Sequence, residues 1–219
     1  MRRLLIVLPT EQIRPLHDVW LRPRRVFREL ASQPVGRVDY LLGAAQGIAN
    51  CLALSRTQNA GANMGMGEIF LRAIGIGSTV GVAGLFLMGL IYTRLGSRAA
   101  QPAARSQVFH VLAYGNVPLA ASLIVWVFAA LLTGEATFEV NPRGEVEGFV
   151  ALLLRMQFIA FLILALWSVV IQVMGLSEVQ GISPARAFGL WVFGQLIGFL
   201  ALVFLVILLV TLFPGAVPG

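Results

Sequence analysis

Arginine, aspartate and glutamate leave five long gaps in this chain, at 40–55, 73–93, 106–134, 156–177 and 187–219. Each gap is apolar along most of its length. A helix needs about 20 apolar residues to cross the hydrocarbon of a bilayer. Backbone groups in hydrocarbon must bond within their own segment or a closed barrel, so runs of this length fold there as helices. The last four gaps meet that length easily. The first is short and carries Gln46 and Asn50, so its composition alone leaves a re-entrant or interfacial segment open. The whole chain is 58% hydrophobic and only 12% charged, against roughly a quarter charged in a soluble domain. Its length suits one domain.

Charge placement argues that the first gap spans. Eight arginines precede it, and Arg94, Arg98 and Arg105 lie between the second and third gaps with no acid among them. Between the third and fourth gaps, Glu135, Glu139, Glu145 and Glu147 outnumber the arginines, Arg143 and, at the edge of the fourth gap, Arg155. With five crossings both arginine-rich segments fall on one side, which the positive-inside rule makes cytoplasmic; with four they fall on opposite sides. The expected architecture is all-α: a polytopic integral membrane protein, a bundle of five transmembrane helices preceded by a short amphipathic interfacial helix. Residues 1–37 form the cytoplasmic N-terminal segment, 38–213 the transmembrane domain and 214–219 a short outer tail.

Local signals set the boundaries. Gly175 is suited to cap the fourth helix in the left-handed conformation. Ser183 and Pro184 offer an N-cap and first residue for the fifth, and Pro214 ends it. The stretch "RTQNAGANMGMG", 56–67, reads as a polar, flexible outer loop. The opening "MRRLLIVLPTEQ" has too short an apolar run for a secretory signal and reads as retained. All 16 basic residues are arginine, which fits a GC-rich genome and hence a bacterial inner membrane. A single cysteine, Cys51, excludes a disulfide framework within one chain. His17 and His110 are too few to suggest a metal site, and no cofactor or nucleic acid is expected.

The segment "AIGIGSTVGVAG", 73–84, resembles a phosphate loop only superficially. It lies inside a charge-free crossing and lacks the lysine with serine or threonine that such a loop uses. Ala73, Gly77 and Gly81 recur every four residues and form one smooth ridge. Gly43, Gly47, Cys51 and Ser55 form another. Ridges of small residues let helix backbones approach closely, so Gly43, Gly47, Gly77 and Gly81 are expected to serve helix packing, either on each other or across a dimer.

Residues 23–32 have the pattern of a short amphipathic helix. Val26, Phe27 and Leu30 share one arc of a helical wheel, and Arg24, Arg25 and Arg28 share the opposite one. Such a helix, with Trp20 as interfacial anchor, is expected on an anionic leaflet. Trp20, Arg24, Arg25, Phe27 and Arg28 are then contacts for lipid or a partner, or simple anchors. Polar residues inside the apolar runs, Gln46, Asn50, Asn116, Gln172 and Gln195, line a substrate path or hydrogen-bond between helices. Arg155, near the outer end of the fourth crossing beside Gln157, is a candidate intramembrane ionisable group, or snorkels to the interface and meets Glu147.

Three segments resemble the Yip-domain family, the Ypt/Rab-interacting membrane proteins and their bacterial relatives. "DVWLRPRRVFREL", 18–30, is similar to the family's Pro-Arg-x-x-Phe element before its first crossing. "HVLAYGNVPLAAS", 110–122, resembles its tyrosine–glycine element with a nearby proline. "LWSVVIQVMGLSEVQGISPARAF", 166–188, resembles the turn between crossings four and five. The resemblance implies five crossings and a cytosolic N-terminus. In eukaryotic members it implies organisers of vesicle traffic with Rab partners, a role not carried over to a bacterium.

The expected function is accordingly a non-enzymatic membrane scaffold or adaptor, with anionic lipids, other membrane proteins or further copies of itself as partners. A small-molecule or ion transporter or channel subunit is the alternative. No midplane acid marks a transport path, and no nucleophile-elbow or metalloprotease pattern marks an intramembrane enzyme.

Overall fold

A computed structural model of the protein describes residues 14–96, 103–140 and 148–212. Within them the chain is helical, with no strand. The short helices α1 (Pro15–Asp18) and α2 (Pro23–Leu30) precede α3 (Arg37–Thr57). Helix α4 (Met66–Arg72) runs through a wide π turn, Ala73–Gly77, into α5 (Ser78–Leu95). Helices α6 (Arg105–Gly115) and α7 (Val117–Thr133) follow, then α8 (Gly148–Gln180) and α9 (Pro184–Leu212). Arg2, Arg3, Arg98, Arg143, Glu145, Glu147, Pro214 and the opening segment lie outside the described residues.

Among the described residues, four helical stretches are long and apolar enough to cross a membrane: Met66–Leu95, Arg105–Phe138, Gly148–Gln180 and Pro184–Phe204. Helix α3 is also long, at 21 residues, but its glycines, alanines, Gln46 and Asn50 make it less apolar than these.

Proline fixes several boundaries by its locked φ and missing N–H. It opens α1, α2 and α9. At the start of α9 the Arg186 N–H points at Ser183 Oγ, at 3.4 Å. Between α6 and α7, Pro118 cannot donate to the preceding turn. The chain breaks at Asn116 (φ −91°, ψ 4°), whose side-chain amide donates to the Leu112 carbonyl at 2.8 Å.

Two apolar cores sit at opposite ends of the bundle. At the end where α2, α6 and the close of α8 meet, Val26, Phe27, Leu30, Val108, Val111, Ile171 and Leu176 are buried together. This end also carries Arg22, Arg24, Arg25, Arg28 and Arg37, and is called the basic end below. At the far end Leu52, Ile69, Trp126, Ala130 and Phe138 pack, with Trp126 stacked on Phe138 at 5.8 Å. Between them, large apolar side chains such as Ile124, Leu131 and Phe204 point outward, as they do on helices solvated by lipid.

Three expectations need correction. Gly175 does not cap the fourth helix. Helix α8 continues through it to Gln180, and Gly181 (φ +61°) takes the left-handed position. Gly175 instead admits the Phe27 ring, since a Cβ there would lie 2.6 Å from Phe27 Cε2. Residues 56–67 are not a plain loop: Asn59 adopts the left-handed conformation and Ala60–Ala62 form a 3₁₀ turn. That turn packs against Gly134–Phe138, and Asn59 Oδ1 accepts from the Val140 N–H at 3.0 Å. Finally, the apolar face of α2 does not face the leaflet. Val26, Phe27 and Leu30 are 0–2% exposed and lie against α8 and α6. An eight-residue helix is too short to hold its shape alone, and the bundle supplies the apolar surface that stabilises it.

Candidate functional site

Four polar side chains, from α3, α8, α9 and the α6–α7 break, form one hydrogen-bonded chain through the bundle. Asn116, at the break before α7, donates to Gln46 Oε1 of α3 at 2.9 Å. Gln172 of α8 donates to Asn116 Oδ1 at 2.8 Å. Trp191 of α9 donates its indole N–H to Gln172 Oε1 at 2.9 Å. Each side chain bonds to the next, so the chain ties the helices together in a region where free amides are costly. Asn50 and Gln195 lie outside it, on the walls of a neighbouring cleft.

Helices α3 and α5 meet at their glycines. A Cβ built at Gly47 would collide with the Gly77 carbonyl oxygen and lie 2.6 Å from Gly81 Cα. One at Gly81 would collide with the Gly43 carbonyl oxygen and lie 2.7 Å from Gly47 Cα. At Gly43 itself the approach is looser, with Leu85 Cδ2 at 3.0 Å. The four glycines thus come together within one chain, backbone against backbone.

On the basic end, Trp20, Arg24, Arg25 and Arg28 share a groove of about 480 Å³ with Trp167 and Met174 of α8. The Trp167 indole donates to the Trp20 carbonyl at 3.2 Å, holding the segment before α2 in place. Arg28 makes two bonds to Glu178 Oε1, at 2.8 and 2.9 Å, and Arg25 pairs with Glu29 at 3.0 Å. Arg24 is exposed and makes no ion pair among the described residues. Phe27, expected at the surface, is 1% exposed and belongs to the core. Upstream, the Arg14 backbone N–H donates to Asp18 at 2.9 Å and, with His17 alongside, holds its carboxyl below the usual range.

Arg155 is exposed on α8 and its expected partner Glu147 lies outside the described residues. The arginine that enters the bundle is Arg56, at the far end of α3. It donates to Gln157 Oε1 at 3.1 Å and to the Leu154 carbonyl at 3.3 Å, and lies over the Phe158 ring at 5.6 Å.

A family model of the Yip1 domain matches residues 18–208. The chain belongs to the Yip1 family. No curated protein and no solved structure matches it. With four membrane-length helices among the described residues, this Yip1 domain is a multi-pass membrane protein.

Within this Yip1 domain, sequence reasoning missed one buried ionisable pair. Asp39 and His110 are 2% and 3% exposed, and His110 Nδ1 lies 2.7 Å from Asp39 Oδ1. His110 Nε2 faces the Gln33 carbonyl at 3.1 Å, and the Gly36 N–H donates to Asp39 Oδ2 at 2.8 Å. Both ring nitrogens face oxygen acceptors, so each contact needs its own proton. The pair therefore carries no net charge, which limits the cost of burying it. Neither nitrogen remains for a metal or for proton abstraction. The signal that could have found the pair is that Asp39 opens the first apolar run and His110 is the one imidazole inside the third.

Proposed function

We propose that this Yip1 domain is a non-enzymatic scaffold or adaptor of the bacterial inner membrane. It has five crossings, a cytoplasmic N-terminus and an outer C-terminus. The supporting observation is the chain Gln46–Asn116–Gln172–Trp191, because three of the amides a transporter would offer to a substrate are engaged in holding helices together.

Helix α3 is the first crossing in this reading and brings the four membrane-length stretches to five. At about 1.5 Å per residue it is roughly 31 Å long, about the thickness of the hydrocarbon core. Its middle residue, Gly47, meets Gly77 and Gly81 near the middle of the span Met66–Leu95, so α3 lies at the depth of an apolar span rather than at its edge.

The docking surface is the basic end, with Trp20, Arg24, Arg25 and Arg28 toward an anionic leaflet or an acidic partner. Each arginine near such a surface contributes about 1 kcal/mol, most directly Arg24, which has no ion pair of its own. Changing all three arginines to glutamine is expected to leave the protein inserted and folded while recovery of crosslinked membrane partners drops severalfold. Substrate flux in proteoliposomes, abolished by Asn116→Leu in a variant that still folds, would refute the scaffold reading.

A further inference from the structure

Helices α3 and α9 both pack along α5 rather than along each other, and a cleft of about 500 Å³ opens between them. Gln46, Asn116 and Gln172 line it together with Met88 and Leu112. Asn50 on α3 and Gln195 on α9 line its walls, and beyond them the lining is apolar, with Leu54, Val80 and Phe199. The polar groups here are not all engaged. Gln46 gives its Oε1 to Asn116, but its amide N–H groups have no partner among the described residues, and Asn50 is exposed with none.

An amide without a partner in hydrocarbon costs free energy, so this cleft favours an occupant that brings hydrogen-bonding atoms to that depth. No charged side chain lines it, so a charged head would be buried without compensation. The volume lies in the range of small-ligand sites, about 300–1,000 Å³. Amides set among aliphatic walls match a molecule with a short polar head and one apolar tail. We propose that the cleft between α3 and α9 binds one neutral, single-chain amphiphile, its hydroxyl or ester head held by Gln46, Asn50 and Gln195 and its tail along Leu54, Val80 and Phe199.

The test uses the full chain in nanodiscs with a photoactivatable monoacylglycerol carrying a diazirine in its tail. An alkyl sulfate with the same tail is the charged comparison. The monoacylglycerol is expected to label α3, α5 and α9 residues around the cleft, with unlabelled monoolein competing. Gly84 lines the same cleft, and a Cβ added there meets nothing within 4 Å. Gly84→Leu should therefore fill the cleft without unfolding the bundle and reduce labelling at least fivefold. Asn50→Leu, at an exposed position, should reduce it similarly while keeping the wild-type thermal transition. Equal labelling by the alkyl sulfate would overturn the proposal. So would labelling unchanged in both variants, or efficient crosslinking of Cys51 to Cys51 between copies, which would place a second copy in the cleft.

Discussion

Asp39 and His110 stand 71 residues apart in sequence and 2.7 Å apart in the fold. Removing either partner leaves the other buried with a charge or a lone hydrogen-bonding group, which costs about 3–5 kcal/mol in buried pairs. His110→Ala and Asp39→Ala are each expected to lower the unfolding transition in mild detergent by a margin of that size. The double variant should cost less than the two added together, because it leaves no orphaned partner. Strict additivity would mean that the two side chains act independently. The pair also fixes the chain before α3, since His110 holds the Gln33 carbonyl and Asp39 holds the Gly36 N–H. Losing it should therefore increase proteolysis between α2 and α3 ahead of global unfolding.

At the scale of elements, the contacts that matter are places where one helix reaches into another. Gly81 has no space for a side chain against Gly43 and Gly47, so Gly81→Leu must push α3 and α5 apart. Overpacking of a tight interface costs about 1–3 kcal/mol and sometimes more. Gly81→Leu is expected to lower the unfolding temperature or yield of folded protein, while Gly84→Leu, one turn away and open, stays near wild type. Equal tolerance of both would deny that close approach at Gly81 matters. Helix α2 depends on the Phe27 ring in the notch at Gly175. Phe27→Ala, at about 3–5 kcal/mol for a buried aromatic, should release α2 and expose it to protease with the long helices intact. These elements also show what a sequence conveys. The periodicity of small residues at 43, 47, 77 and 81 marks a face made for close approach. The wheel of α2 marks an apolar arc, but periodicity does not say what covers it. Lipid and a neighbouring helix are equally apolar, and only the fold places Gly175 under Phe27. The same holds for the amides: their presence in apolar runs was visible, but which of them bond and which line a cleft depends on helix rotations that no local pattern encodes. Arg56 was hidden for another reason, as it sits just past the end of an apolar run, where an arginine ordinarily turns to water.

For the whole molecule, the proposed topology rests on α3, because its crossing sets the side on which every later segment lies. Its composition alone falls short, but its midpoint packs against the middle of the span Met66–Leu95. That depth supports the proposed crossing of α3. The arginine distribution points the same way: with α3 crossing, the N-terminal arginines and those around α5's end and α6's start share one side, as the positive-inside rule requires. A reporter fused after residue 37 is expected in the cytoplasm. One fused near 62, with α3 as the preceding long helix, is expected outside. Fusions near 100 and 141 should report the cytoplasm and the outside in turn. If the fusions at 37 and 62 reported the same compartment, α3 would not cross. The arginines at 94 and 105 would then lie opposite those of α2, and the basic end of the bundle could not face a single leaflet.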